Sequence, residues 1–405
     1  MRYGLLGRKL GHSYSPMIHG MLGYDYGLFE REPEDVADFL KDGDFVGINV
    51  TIPYKKDVLP YLDEIDPLAA RLGAVNTIVR RNGKLKGYNS DYYGFLSMVR
   101  RTGIEVAGKK ALVLGSGGAS ATACAVLADL GAQVVVISRT GENNYDNLHL
   151  HAGAALLVNT TPVGMYPNTG IAPVDVSRFS SLEGVLDVIY NPARTQLLLD
   201  CERLGIPSCN GLWMLVAQAV QSSRWFRDKE LPDSLIADIH QALRNQMENI
   251  VLIGMAGCGK STIGRQLARE TGKKFVDADK EIEALAGKSI PEIFADDGEA
   301  AFRRLETEVL ATLGKQSGLV IATGGGCVTR AENYPLLHQN GRILWIRRDP
   351  GKLPTAGRPL SQKTAPAVLY EQRKPLYRAF ADAAVDNEGT LGETLTAILN
   401  LLEVL

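Results

Sequence analysis

Cysteine is scarce in this chain, and none of its five thiols forms a CxxC pair. Cys124, Cys201, Cys209, Cys258 and Cys327 are scattered and odd in number, which reads as free thiols in a reducing compartment. No apolar run reaches the roughly 20 residues needed to span a bilayer. The opening Met1-Arg2-Tyr3-Gly4-Leu5-Leu6-Gly7 is too short and too glycine-rich for the apolar core of a signal peptide. A cytoplasmic protein is expected. Charge of one sign is also lacking: the formal net charge is -2, so nothing points to nucleic acid or an anionic membrane as partner. Repeats and low-complexity tracts are absent as well, and no Gly/Ser or Pro-rich linker marks the junction near residue 246. What remains is the composition of an ordinary globular protein, 45% hydrophobic and 22% charged, over 405 residues. Single cores stop growing at roughly 250–300 residues, so two or three domains are expected.

Strand-like runs alternate with helical stretches almost throughout, the pattern of an α/β protein with largely parallel sheets. Three apolar runs feed special turns: residues 45–51 lead into Pro53, Ala111-Leu112-Val113-Leu114 into Gly115, and Ile250-Val251-Leu252-Ile253 into Gly254. The last two open glycine-rich loops before helices, and one small domain rarely carries two of these. Residues 213–244 read as helical with a break at Pro232, and a new strand begins soon after Met247. A boundary near residue 246 follows.

In the C-terminal half, Gly254-Met255-Ala256-Gly257-Cys258-Gly259-Lys260-Ser261-Thr262 fits GxxxxGK[ST] between a strand and a helix. Glycines let backbone N–H groups converge on phosphate oxygens, and the helix N-terminus adds a favourable dipole. Lys260 would reach the β- and γ-phosphates, and Ser261 would bind Mg2+. Phe275-Val276-Asp277-Ala278-Asp279 reads as a strand end whose two acids, two residues apart, share a face. The alternative is a solvated pair opening a helix, where the dipole favours acids.

Further on come Gly298-Glu299-Ala300-Ala301-Phe302-Arg303-Arg304-Leu305-Glu306, then Gly324-Gly325-Gly326 after the strand 319–322. Gly357-Arg358-Pro359-Leu360 and Arg373-Lys374-Pro375-Leu376-Tyr377 follow. As an ordered set over 249–405 these resemble the shikimate kinase family. The resemblance implies that Asp279 holds the ring hydroxyls beside the attacking oxygen. Arg303 and Arg373 would clamp the substrate carboxylate, a task suited to planar guanidinium groups. Gly325 and Gly326 would let substrate approach backbone, Asp277 would sit near Mg2+ through water, and Arg358 would close over ATP as a lid arginine. Where the family has a basic Arg-Thr step approaching the lid, this chain reads Leu353-Pro354-Thr355, and the lid is short.

In the N-terminal half, Gly115-Ser116-Gly117-Gly118-Ala119-Ser120 follows a strand and opens a helix over 121–130, a variant of the dinucleotide turn. The next strand, 133–137, ends in Ser138-Arg139-Thr140. An NAD site places an acid there for the ribose 2′-hydroxyl, whereas a fixed cation suits the 2′-phosphate of NADP. The substrate side is offered by Gly11-His12-Ser13-Tyr14-Ser15-Pro16, Asn49-Val50-Thr51-Ile52-Pro53-Tyr54-Lys55-Lys56, Gly73-Ala74-Val75-Asn76-Thr77 and Asn89-Ser90-Asp91. Later pieces are Asn159-Thr160-Thr161-Pro162, Tyr190-Asn191-Pro192 and the run from Asn210-Gly211 to Gln218.

Together these resemble the shikimate dehydrogenase family over residues 1–245. The resemblance implies Ser13 and Ser15 on the carboxylate, Thr51, Asn76 and Gln218 on hydroxyls, and Lys55 with Asp91 as the catalytic pair. Tyr190 and Gly211 would seat substrate or nicotinamide, and Asn159, Thr160 and Thr161 would line the cofactor cleft beside Gly115, Gly117, Gly118 and Ala119. The segment 141–153 is short against the family, so one helix there is expected to be trimmed. His149 and His151, within it, have no further ligand nearby and read as surface residues.

The implied architecture is a substrate domain over 1–101 and 213–246, a Rossmann NADP-binding domain over 102–212, and a P-loop kinase domain with a parallel sheet over 247–405. The implied chemistry is NADPH-dependent reduction of 3-dehydroshikimate, then MgATP-dependent phosphorylation of shikimate. Three alternatives stand beside it. They are a broader quinate/shikimate dehydrogenase fused to the kinase, one half kept only as a binding or regulatory module, and a P-loop kinase for another small alcohol. Asp279, Arg303 and Arg373 together disfavour the last.

Overall fold

A computed structural model describes residues 2–11, 13–354 and 364–404. The chain divides into two compact units. The first comprises Met1–Met165, Ile171–Tyr190 and Leu197–Leu243, and the second Tyr166–Gly170, Asn191–Gln196 and Arg244–Leu405.

The first unit opens with β1 (Tyr3–Gly7), α1 (Ser15–Met21), β2 (Gly27–Glu30), α2 (Val36–Asp42) and β3 (Gly47–Val50). It continues with β4 (Glu64–Ile65), α3 (Pro67–Leu72), β5 (Thr77–Arg81), β6 (Lys84–Tyr88) and α4 (Ser90–Thr102). The sheet order is β2-β1-β3-β5-β6-β4. β1 runs parallel to both neighbours, but β5 is antiparallel to β3 and to β6. This sheet is therefore mixed. The cause is local: Asn82 and Gly83 both take positive φ, 50° and 76°, which makes the two-residue turn that folds β5 back onto β6. Leu6, Ile48 and Ile78 are fully buried at its centre.

Beside this core, His19 on α1 is 1% exposed. Its ring stacks on Tyr26 with centroids 3.9 Å apart, and Nδ1 lies 2.5 Å from the Tyr24 hydroxyl. Burial pushes its pKa down from 6.5 to about 3. The folded chain thus keeps His19 neutral while the unfolded chain protonates it below about pH 6.5. Stability is present above that pH and lost as pH falls toward 3, with a slope from this residue of roughly 1.4 kcal/mol per pH unit. Urea midpoints measured between pH 7 and 4.5 should fall more steeply for the wild type than for His19→Gln. Equal slopes would exclude the effect, whatever the absolute stability of the variant.

A second sheet follows, built from β7 (Lys110–Leu114), α5 (Gly118–Asp129), β8 (Gln133–Ile137), β9 (Leu156–Asn159), β10 (Gly184–Asp187), α6 (Gln196–Leu204) and β11 (Ser208–Cys209). Its order is β11-β10-β9-β7-β8, all parallel. Ala111 and Val113 pack with α4 on one face, and Leu112 and Leu114 enter a separate core on the other. Both faces are covered, as parallel sheets require. α5 starts at Gly118, three residues before the expected start. Between β8 and β9 only a 3-10 helix, Tyr145–His151, forms. His151 departs from its surface reading: it is 9% exposed, with Nε2 3.0 Å from Asn143 Oδ1. The short segment is folded inward on itself, which sequence periodicity does not reveal. α7 (Leu212–Arg227) and α8 (Ser234–Met247) replace the single interrupted helix expected around Pro232.

The second unit holds β12 (Asn249–Ile253), α9 (Lys260–Thr271), β13 (Lys274–Asp277), α10 (Ala278–Ala286), α11 (Ile290–Asp296) and α12 (Gly298–Gly314). It closes with β14 (Leu319–Ala322), α13 (Asn333–His338), β15 (Gly341–Arg347), α14 (Pro366–Phe380), β16 (Ala383–Asp386) and α15 (Leu391–Val404). The strands are all parallel in the order β13-β14-β12-β15-β16. β12 is buried along its whole length, so its carboxyl end delivers the glycine loop into the crevice above the sheet. All five cysteines are free. No helix among the described residues is long and apolar enough to cross a membrane.

Candidate active sites

In the first unit, Lys55 lies in the turn after β3 and Asp91 in the first turn of α4. The Lys55 ammonium sits 2.6 Å from Asp91 Oδ2, and the side chains are 31% and 20% exposed. The pair is thus reachable by a small molecule yet partly shielded. Asn89 caps α4 by accepting from the Tyr92 N–H, which fixes where Asp91 emerges. The Lys55 carbonyl accepts from the Val75 N–H at 2.8 Å, and the Asn76 carbonyl accepts from the Val50 N–H at 2.8 Å. Lys55, Asn76 and Asp91 are thereby tied to one end of β3. Gln218 on α7 joins them through Ser90, whose hydroxyl lies 3.0 Å from Gln218 Oε1.

Thr51 donates its backbone N–H to the Leu6 carbonyl at 2.9 Å, which sets it beside the end of β1. Ser13 accepts from the Ser15 N–H at 3.2 Å, and Ser15 begins α1. The intervening Tyr14 ring meets Tyr190 edge-on at 5.9 Å. That contact places the two serines near Tyr190.

The dinucleotide turn sits at the carboxyl end of β7, where the strand order reverses between β8 and β9. Gly115 has φ +108°, and a Cβ there would lie 2.8 Å from Thr160 Oγ1, so glycine is required. Thr160 Oγ1 donates to the Leu114 carbonyl at 2.6 Å, and Ser120 Oγ donates to the Gly115 carbonyl at 2.7 Å. Gly117 caps α5, which starts at Gly118 and Ala119. Ser138 is half-buried at the end of β8, while Arg139 and Thr140 are exposed there, so a cation stands where an NAD site places an acid for the ribose 2′-hydroxyl. Asn159 is 0% exposed: Nδ2 donates to Asp187 Oδ1 at 3.0 Å, and Oδ1 accepts from the Thr161 N–H and hydroxyl. Asn159 shapes the loop from within. Gly211 donates its N–H to the Ile189 carbonyl and precedes α7.

In the second unit, Gly254, Gly257 and Gly259 take φ values of 139°, 85° and 103° along the phosphate loop. Lys260 is 7% exposed and donates to the carbonyls of Gly254 and Met255 at 2.8 and 2.9 Å. Ser261 and Thr262 follow it in α9. Ser261 Oγ donates to Asp277 Oδ2 at 2.7 Å. This hydroxyl–carboxylate pair beside the loop is an all-oxygen donor set, which fits Mg2+ completed by water and phosphate oxygens. No group of three or more His, Cys, Asp or Glu side chains among the described residues could hold a metal without such help.

Asp279 is not on the strand. β13 ends at Asp277, whose side chain accepts from the Asp279 N–H and caps α10, so Asp279 stands in that helix's first turn. The capping bond replaces strand periodicity by helical geometry. Asp279 Oδ1 is sealed from solvent with no hydrogen-bond partner among the described residues. Burial raises its pKa, countered by Lys260 and reinforced by Asp277. Arg303 on α12 donates from Nη1 to Glu306 Oε2 at 2.6 Å. Glu306 is 0% exposed, and burial raises its pKa too. A Cβ on Gly326 would lie 2.1 Å from Arg303 Nη2, so a larger residue there would push the guanidinium out of its present place beside the loop after β14. Arg373 on α14 donates to the Gly325 carbonyl at 3.2 Å, and the Tyr377 hydroxyl bonds the same oxygen. Asp279, Arg303, Gly325, Gly326 and Arg373 are therefore brought together.

Glu306 and Tyr377 were not singled out by sequence. The signal for Glu306 was its i,i+3 spacing from Arg303 on one helix face. Arg358 and the rest of the lid from Thr355 lie outside the described residues, while Leu353 is buried and Pro354 exposed.

The Lys55–Asp91 pair beside a dinucleotide turn, and the phosphate loop beside Asp277 and Asp279, define the class: a dinucleotide-dependent oxidoreductase joined to a P-loop phosphotransferase. Residues 5–78 match the family model for the shikimate dehydrogenase substrate binding domain, and residues 256–403 that for shikimate kinase. The NADP(+) shikimate dehydrogenase of Clostridium beijerinckii is 35% identical over 268 residues, 61% of this chain and 99% of that protein. The crystal structure of shikimate dehydrogenase 1 from Peptoclostridium difficile is 39% identical, with a TM-score of 0.55 over 60% of this chain and 98% of that one. The Thermus thermophilus shikimate 5-dehydrogenase solved with NADP(H) and shikimate is 31% identical, with a TM-score of 0.55 over 60% and 99%. The chain belongs to the shikimate dehydrogenase family, and it carries a C-terminal shikimate kinase domain.

Proposed function

We propose that the chain reduces 3-dehydroshikimate to shikimate with NADPH and then phosphorylates the 3-hydroxyl of shikimate with MgATP. In this reading, residues 1–101 and 213–246 form the substrate domain, 102–212 the NADP domain and 247–405 the kinase. The observation that carries the reading is the presence, in one chain, of the Lys55–Asp91 pair and of the Asp279–Arg303–Glu306 cluster beside a phosphate loop.

NADPH supplies a hydride to C3, and MgATP supplies the phosphoryl group. As the carbonyl becomes an oxyanion, the Lys55 ammonium stabilises it and delivers the proton that completes the alcohol. Asp91 orients that ammonium and keeps its charge compensated. Ser13 and Ser15 bind the substrate carboxylate, while Thr51, Asn76 and Gln218 hold hydroxyls. In the kinase, Arg303 and Arg373 fix the shikimate carboxylate, and Glu306 holds Arg303 in place. Asp279 accepts a hydrogen bond from the attacking 3-hydroxyl, and Lys260 neutralises charge on the transferred group. Ser261 and Asp277 hold Mg2+, and Arg139 answers the 2′-phosphate of NADP.

The test is a coupled assay on the purified chain with 3-dehydroshikimate, NADPH and MgATP, following NADPH loss and shikimate 3-phosphate together. Formation of both is expected. NADPH loss without the phosphate ester would reduce the second half to a binding module, and turnover of quinate in place of shikimate would shift the first to the broader specificity.

A further inference from the structure

Asn76 and Gln218 carry the hydroxyl recognition in the proposed reduction, and a primary amide offers an acceptor at one end and donors at the other. Here the acceptor ends are already committed. Asn76 Oδ1 accepts from the Ser90 N–H at 2.7 Å, from Thr77 Oγ1 at 3.1 Å and from Ser90 Oγ at 3.2 Å. Gln218 Oε1 accepts from Ser90 Oγ at 3.0 Å, and its Nε2 donates one N–H to the Leu215 carbonyl at 3.1 Å, which leaves the other N–H for a ligand. Ser90 has one hydroxyl proton, so it serves these two oxygens in turn, while its N–H holds Asn76 throughout.

Behind these bonds lies a buried chain. Tyr26 donates its hydroxyl to Asn49 Oδ1 at 2.7 Å, which orients the Asn49 amide. Asn49 Nδ2 then donates to Thr77 Oγ1 at 3.0 Å and to Ser222 Oγ at 2.8 Å. Thr77 Oγ1 in turn lies 3.1 Å from Asn76 Oδ1, 3.2 Å from Ser90 Oγ and 3.0 Å from Ser222 Oγ, so its one proton is shared among them. Ser222 Oγ reaches Ser90 Oγ at 3.0 Å and the Gln218 carbonyl at 2.9 Å. Thr77, Ser90 and Ser222 are each 0% exposed. Water therefore does not compete, and buried hydroxyls join Tyr26 and Asn49 to both amide oxygens.

We infer that the Asn49–Thr77–Ser222–Ser90 network is a positioning device that holds the amide oxygens of Asn76 and Gln218 and so turns their remaining N–H donors toward the substrate, with Ser90 as its hub. The subsite then selects ring oxygens able to accept, and disfavours an analogue that lacks one, because the pre-oriented N–H groups are left without a partner. None of the four network residues is a catalytic residue. The inference rests on the reductase reading above, and failure of the wild type to reduce 3-dehydroshikimate would overturn that reading before any variant is made.

The experiment uses the full chain with Ser90→Ala and Ser222→Ala, with circular dichroism and thermal midpoints against the wild type as the control of folding. Ser90→Ala should raise KM for 3-dehydroshikimate about 10-fold with kcat within about 3-fold. It should also narrow the kcat/KM preference for 3-dehydroshikimate over a derivative with one ring hydroxyl replaced by hydrogen, by about 10-fold. Ser222→Ala, one bond further back, should shift both in the same direction by a smaller factor. Unchanged KM and unchanged discrimination in Ser90→Ala would overturn the inference. So would a fall in kcat alone with discrimination intact, which is the signature of a merely structural role. If Ser90→Ala does not fold, Ser222→Ala decides by the same two readouts.

Discussion

Replacing Lys55 by methionine should lower NADPH oxidation with 3-dehydroshikimate by about 10²–10⁴-fold and leave shikimate phosphorylation within about 2-fold. Methionine keeps much of the side chain's length and packing but removes the ammonium 2.6 Å from Asp91 Oδ2. The loss falls on the step where negative charge develops on the carbonyl oxygen, so kcat should carry most of it and KM little. Asp91→Asn should be milder, because the ammonium remains and only its orientation and compensating charge change. Steady-state kinetics of both activities on the same preparations checks this. If Lys55→Met also stops phosphorylation while the chain stays folded, the two sites are not independent. If it leaves reduction intact, the Lys55–Asp91 pair is not the catalytic pair.

Much of this site was legible in the sequence because its chemistry is local. Asn49 to Lys56 reads as a buried strand running into a turn that carries a hydroxyl and a lysine, and β3 and its turn sit there. The glycine turn after β7 was readable for the same reason. What stayed hidden depends on contacts between distant segments. Ser90 looks like helix-cap chemistry, and its bond to Ser222 spans 132 residues. Asn159 sits in a motif that suggests a cleft lining, yet its side chain turns inward to Asp187. The antiparallel β5 hangs on the turn at Asn82 and Gly83, whose positive φ values the alternation of strands and helices does not announce.

The second large effect is expected at Asp279. Asp279→Asn should reduce kcat/KM for phosphorylation of shikimate by about 10²-fold or more, with reduction of 3-dehydroshikimate unchanged. Amide nitrogen and oxygen fill the same space, but the charge that accepts the hydroxyl's hydrogen bond is gone. The pH dependence is specific. Burial raises the Asp279 pKa, so the carboxylate protonates at a higher pH than an ordinary aspartate, near 3.9, would. The acid limb of the wild-type kinase profile should therefore lie above that value, and residual activity of the variant should lack it. The linkage runs the other way for stability. A carboxyl whose folded-state pKa is raised favours the folded chain at low pH, and that contribution is lost as pH rises through the folded pKa. At neutral pH, Asp279→Asn should then raise the thermal midpoint of the kinase unit while lowering its activity. A lower midpoint would show that the Asp279 charge is a net stabiliser, against the sealed Oδ1.

The helix-opening alternative for Asp277 and Asp279 was available in the sequence, and a capping bond from Asp277 made it the better one. The partners of Asp279 were less visible. Arg303 stood in a readable motif, but the need for Glu306 beside it follows from burial, since a guanidinium 7% exposed requires a paired acid.

Lys260 already holds the carbonyls of Gly254 and Met255, and a glycine-rich segment has more freedom to lose on ordering than any other. Folding has thus met that entropic penalty before a nucleotide arrives. Affinity for the triphosphate then reflects the exchange of two neutral carbonyl partners for charged phosphate oxygens, with little drawn off to shape the loop.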